Sequence, residues 1–190
     1  MTSFGDPEGT FSSIRTAAAP SDVASYRTTP QFAVSLGKLT VMSIVTFGIY
    51  DVYWAYRHWE AIRRREDEPL SPFWRAFFAP LWGFSLFPRL QKLTAVHGVP
   101  ATWSGSALAV VYLLLGVAWR LPAPLSLVSF LGFLPLLMVQ RSVNELNAAA
   151  ARDAPRNDTY SAKNIIWIFV GGILVLLAVV GTVMPTVGAQ

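Results

Sequence analysis

The chain contains no cysteine, which removes disulfides, thiolate metal centres, cysteine nucleophiles and palmitoylation from consideration. Charge is scarce too: Asp, Glu, Lys and Arg make up 14% of the 190 residues, against 53% hydrophobic ones, far from the balance of a soluble domain. Only two histidines occur, His58 and His97, and without thiols or clustered carboxylates they fall short of a zinc set. Nucleotide fingerprints of the G-x-x-x-x-G-K-[ST] or G-x-G-x-x-G kind are missing, as are a G-x-S-x-G elbow and a serine with a histidine base and orienting acid. The sequence therefore predicts a protein that is not an enzyme and that holds no cofactor and no metal.

What is present is a series of apolar runs edged with aromatics and arginine. Phe32 to Ile49 supplies about 18 residues interrupted by Lys38, which is long enough to cross a bilayer, with Lys38 near one end and able to snorkel outward. Tyr50, Tyr53, Trp54, Tyr56 and Trp59 follow as an aromatic belt, then Arg63, Arg64 and Arg65. That is the order expected where a helix leaves the membrane. Ala101 to Trp119, Ala123 to Val139 (with Pro135 predicted to kink it) and Ile165 to Met184 read as further spans. Gly105 and Ala109 have the small-xxx-small spacing of closely approaching helices. Between Arg75 and Arg89 the apolar run is only 13 residues, so residues 73–98 read as an aromatic interfacial or re-entrant helix pair turning near Gly83. Residues 1–30 are rich in Ser, Thr, Ala, Gly and Pro and read as a disordered tail without a signal peptide. The expected architecture is all-α: a polytopic membrane protein with about four transmembrane helices in one membrane-embedded domain, residues 31–190.

Charge counting orients such a chain. With four spans, eleven basic residues face one side and Arg15, Arg27, Lys38 and Arg120 the other; the positive-inside rule makes the eleven cytoplasmic. Five spans would split the two arginine-rich loops between compartments. A turn at Thr46-Phe47-Gly48 would instead fold the first run into a hairpin, leaving only Arg120 outside. The four-span arrangement is preferred because the hairpin would bury Asp51 near its turn, although the side of the amino terminus stays open. Twelve Arg against three Lys, with abundant Ala, Gly and Pro, point to a GC-rich bacterial genome and hence to a multi-pass protein of the bacterial inner membrane. Because the basic residues cluster beside apolar runs, orientation rather than nucleic acid accounts for the net charge of +4.

The candidate polar site is small. Asp51 is the one acid within the apolar stretches, and an ionisable group there is a functional candidate by default; its alternative is a hydrogen bond to a tyrosine or a pair with Arg75. Tyr50, Tyr53 and Trp54 surround it in sequence. Gln140, Asn144 and Asn147 share a helix face at i, i+4 and i+7. This pattern suits a non-enzymatic interaction or assembly protein offering its aromatics and the Gln140 to Asn147 face to a protein partner, a second copy of the chain or lipid. The other reading is a small transporter or channel component in which Asp51, with Lys38, lines a polar path. The basic set near the aromatics suits anionic lipid headgroups.

The residues Thr46-x-Gly48-Ile49-Tyr50-x-x-Tyr53-Trp54-x-Tyr56 resemble the signature of a bacterial membrane family known only as domain-of-unknown-function forty-two thirty-four. Ser71-Pro72-Phe73-x-Arg75-x-x-Phe78, Ser85-Leu86-Phe87 and Gln140-Arg141-x-x-Asn144-x-x-Asn147 extend the resemblance over roughly Leu39 to Asn147. It implies membrane placement and brings no activity, substrate or cofactor. Asp51 falls where the family has a small residue. Some similar proteins carry a zinc ribbon before the signature, which implies an amino terminus inside; this chain has no cysteines there.

Overall fold

The computed structural model describes residues 29–122 and 124–183; the tail expected over residues 1–30 lies outside them except for its last two positions. Within them all the regular secondary structure is helical, apart from a single isolated parallel bridge between Ala33 and Arg156. Two helical stretches are long and apolar enough to cross a membrane, Leu125–Ala150 and Ala162–Gly181.

The first apolar run does not form one span. Residues 31–34 are extended, and Ser35 caps helix α1 (Leu36–Val45) by accepting from the Lys38 amide at 3.3 Å. Ten residues rise about 15 Å, half of a bilayer core. The helix then ends in a Schellman turn: the amides of Phe47 and Gly48 return to the carbonyls of Ile44 and Ser43 at 3.1 and 2.9 Å. Phe47 (φ +51°) and Gly48 (φ +83°) are both left-handed, so the chain reverses. Thr46 joins the two arms, its hydroxyl donating to the Met42 carbonyl at 2.7 Å and accepting from the Tyr50 amide at 2.9 Å. Helix α2 (Ile49–Glu66) runs back until Gln31 lies against His58 and Arg65. The expected span from Phe32 to Ile49 is thus replaced by a short hairpin.

The hairpin also changes the role of the aromatic belt. Trp54 and Trp59 are fully buried and Tyr50 is 7% exposed, while Tyr53 remains at the surface. Anchoring at a membrane surface was the expectation for all of them. Instead the buried face of α2, with Asp51, Trp54, Ala55, His58 and Ile62 at helical spacing, meets the rest of the bundle. Truncating either indole to alanine would cost about 3–5 kcal/mol.

Helix α3 (Pro72–Phe77) starts on proline and breaks at Phe78, and α4 (Ala79–Val96) follows. The expected turn near Gly83 therefore falls five residues earlier. Gly83 sits inside α4, where a Cβ would lie 3.5 Å from Tyr112 and 3.8 Å from Ala109 of α5 (Gly105–Val117). At the other end a Cβ on Gly105 would come within 2.6 Å of the Pro88 nitrogen. Gly105 and Ala109 thus do bring two helices into close contact. Gln91 clamps their junction, donating to the Trp103 carbonyl at 2.7 Å and accepting from the Gly105 amide at 2.9 Å.

After a 3-10 turn (Ala118–Arg120), a 3-10 segment (Leu125–Phe133) leads into α6 (Leu134–Ala150). Pro135 occupies the first turn of α6, where its missing N–H costs nothing, rather than kinking a longer helix. Helix α7 (Ala162–Val183) is apolar on every side, and only 6% of its apolar window is buried. It touches α1 through Gly171, where a Cβ would overlap the Val45 carbonyl oxygen.

Candidate functional site

Among the buried polar side chains, two groups bear on function. The first is a tie built on Gln140. Its Oε1 accepts from the Trp54 indole at 2.6 Å and lies 3.2 Å from His58 Nε2; its Nε2 donates to the Phe32 carbonyl at 3.0 Å and to Asn144 Oδ1 at 2.8 Å. Asn144 donates to the Val34 carbonyl at 2.9 Å and Asn147 to the Gln31 carbonyl at 3.0 Å. The amide face that the sequence places on α6 is therefore occupied by residues 31–34 of the same chain. Oriented with its nitrogen toward His58 Nδ1 at 2.9 Å, the Gln31 amide accepts from Arg65 at 2.8 and 3.0 Å. This fixes a neutral imidazole with its proton on Nε2. Burial pushes the His58 imidazole down to about 3; the Gln140 bond opposes the shift, while Arg57 and Arg65 add to it.

The second group is Asp51. It is 7% exposed, and Ser43 Oγ donates to its carboxylate at 2.5 Å. Among the described residues it has neither a tyrosine hydroxyl nor Arg75 as partner, and no ion pair. The carboxylate borders a cavity of about 610 Å³ lying between the helices. Phe47 and Gly48 of the hairpin turn form one wall, Ala79 and Pro80 at the start of α4 a second, Tyr112 and Gly116 of α5 a third, and Phe130 and Phe133 of the 3-10 segment a fourth. Exposed Phe47, Phe77 and Trp119 form its rim. Phe47 also packs on Phe130 with ring centroids 5.5 Å apart.

The other expected site residues are elsewhere. The Tyr50 hydroxyl accepts from Asn157 at 3.2 Å, and that of Tyr53 from Arg57 at 3.0 Å. Arg75 is held between the indoles of Trp59 and Trp82, 4.6 Å from each ring centroid. Lys38 neither snorkels outward nor reaches the Asp51 cavity: it is 2% exposed, and its Nζ donates to Asn157 Oδ1 and the Thr159 carbonyl, each at 2.7 Å. Sequence reasoning passed over Ser43 and the Phe130 and Phe133 wall, which are ordinary residues of apolar helices with no motif to mark them. Among the described residues no group of three His, Asp or Glu side chains could hold a metal ion. In comparison with known proteins, the chain matches no family model, no curated protein and no solved structure.

Proposed function

We propose that this chain is a non-enzymatic protein of the bacterial inner membrane that takes a small lipophilic molecule into the Asp51 cavity, as a carrier or channel component. The observation behind the reading is a carboxylate with no cationic partner among the described residues, bordering a cavity between helices. Burying a charge unpaired costs several kcal/mol, and ionisable groups at such depth accompany ligand pathways. The volume lies within the roughly 300–1,000 Å³ of small-molecule sites. Polar contacts alone would not need so much apolar wall.

The membrane reading draws on the two apolar helices and on charge. With α1 and α2 as a hairpin, Gln31, Arg65 and Asn147 share one end of the bundle. On that topology, charge counting assigns 12 of the 13 basic residues among those described, all but Arg120, to that side, and the positive-inside rule favours it as the cytoplasmic one. Arg63, Arg64 and Lys92 would face anionic headgroups there. The assembly reading loses the Gln140 face, which is filled from within, and turns to exposed apolar surface such as α7 and Phe73, Trp74 and Phe77 for a protein partner.

A chain without cysteine suits single-cysteine mapping. A cysteine replacing Arg120 should react with an impermeant maleimide in intact cells, and one replacing Arg64 or Arg152 only after lysis; the reverse pattern would overturn the topology. In nanodiscs a diazirine-bearing hydrocarbon should crosslink to Tyr112 and Phe130, and Gly132→Trp, placed where nothing lies within 4 Å of a Cβ, should abolish those crosslinks by filling the cavity. Labelling confined to α7 away from Ala178, which itself borders the cavity, would overturn the ligand reading.

A further inference from the structure

We infer that the ligand of the Asp51 cavity is an organic cation with an apolar body, an amine or quaternary ammonium whose charged head sits against the Asp51 carboxylate. This rests on the cavity being a ligand site and adds the chemistry of its occupant.

The cavity presents two kinds of wall. At one place stands the carboxylate, oriented by Ser43 and itself only 7% exposed. Elsewhere the lining is mostly apolar and rich in aromatics: Phe47, Phe77, Tyr112, Trp119, Phe130 and Phe133 all border it. An aromatic face attracts a cation through its quadrupole, and more strongly once water is excluded. A single carboxylate facing several rings therefore favours a positive head carried on an apolar frame.

Other occupants fit less well. A hard metal ion takes six or more oxygen ligands, whereas a single carboxylate borders this cavity and the remaining side-chain oxygens are the hydroxyls of Ser43, Tyr112, Ser126 and Ser129. An anion would face Asp51 with no basic residue among the cavity-lining side chains. A neutral hydrocarbon could enter, but it would leave the carboxylate without a counter-charge.

The test uses two molecules of one shape, benzyltrimethylammonium and neopentylbenzene, which differ by nitrogen for carbon in the head. Equilibrium dialysis against the full chain in nanodiscs, with empty nanodiscs subtracted, gives both affinities. In the wild type the cation should bind at least about tenfold more tightly. Asp51→Asn, which keeps the shape and removes the charge, should bring the two within about threefold of each other through loss of cation binding alone. Equal affinities in the wild type, or tighter binding of the hydrocarbon, would overturn the inference and leave the lipophilic-ligand reading standing. Binding of neither, together with absent photolabelling of Tyr112 and Phe130, would overturn both. Since the wild-type comparison decides by itself, a failure of Asp51→Asn to fold leaves the test intact.

Discussion

Trp54 donates its indole N–H to Gln140 across 86 residues of sequence, at 2.6 Å. That acceptor also faces His58, and the amide nitrogen behind it holds the Phe32 carbonyl. One side chain thus completes the hydrogen bonding of α2, α6 and the extended segment before α1. Gln140→Leu keeps most of the volume but strands the Trp54 and His58 donors and a backbone carbonyl. Each buried group left without a partner costs about 1–3 kcal/mol. A loss of roughly 3–5 kcal/mol is expected, read as a lowered unfolding midpoint in detergent. Asn144→Ala, at a half-buried position, removes the donor to the Val34 carbonyl and one of the two acceptors of the Gln140 amide nitrogen, and should cost about 1–2 kcal/mol.

His58 makes the same tie sensitive to acid. Its folded pKa of about 3 lies below the ordinary value of 6.5, so the unfolded chain binds the proton first. Stability is full above pH 6.5 and falls as pH drops from there toward 3, with a slope of at most about 1.4 kcal/mol per pH unit for one proton. His58→Gln can serve both neighbours without titrating. Wild type minus variant stability should therefore decrease between pH 7.5 and 5 in unfolding titrations, and a difference independent of pH would show that the imidazole charges in place.

How far these relationships could be read from sequence depends on what carries them. The amide face of α6 was legible from the spacing of Gln140, Asn144 and Asn147, but its occupant was not, because the backbone carbonyls of residues 31–34 leave no side-chain signature. Gly105 and Ala109 were legible because small residues at that spacing have few other uses in an apolar helix. The hairpin was harder: Thr46-Phe47-Gly48 can be read as a turn, yet burying Asp51 beside it looked costly. Ser43, on the other arm of the hairpin, and the cavity, walled by later helices, change that balance. Trp54 and Trp59 could not be assigned to belt or core, since aromatics next to arginine suit either, and only the direction of α2 decides.

Phe47 holds a left-handed conformation, φ +51°, that a bulky residue adopts at a cost of about 1–2 kcal/mol. Glycine there would relieve the backbone but remove the ring that packs on Phe130 and borders the cavity. The ring is half exposed, so its burial cannot fully offset the strain. Phe47→Gly should leave stability unchanged or raised by up to about 1 kcal/mol while weakening cavity crosslinking by the diazirine probe. A large loss of stability would show that Phe47 is held by packing rather than kept for the cavity wall.

Helix α7 is attached with little side-chain packing, and that makes Gly171 decisive. Its buried contact sets α7 backbone against the end of α1, with no room for a Cβ beside the Val45 carbonyl. Valine at Gly171 would force the helices apart by more than any rotamer change can absorb, whereas valine at Gly172, where nothing lies within 4 Å, would meet only surroundings. Gly171→Val should therefore release α7 from α1 and Gly172→Val should not. A disulfide between cysteines placed at Met42, in the core cluster, and Ile168, packed against that cluster, reports the attachment on a chain that has no other thiols. Its yield under mild oxidation should fall several-fold with Gly171→Val and stay unchanged with Gly172→Val. Because α7 is apolar all round, the released helix remains suited to hydrocarbon, so the chain should still fractionate with membranes while the bundle loses the contact that steadies the hairpin beneath Asp51.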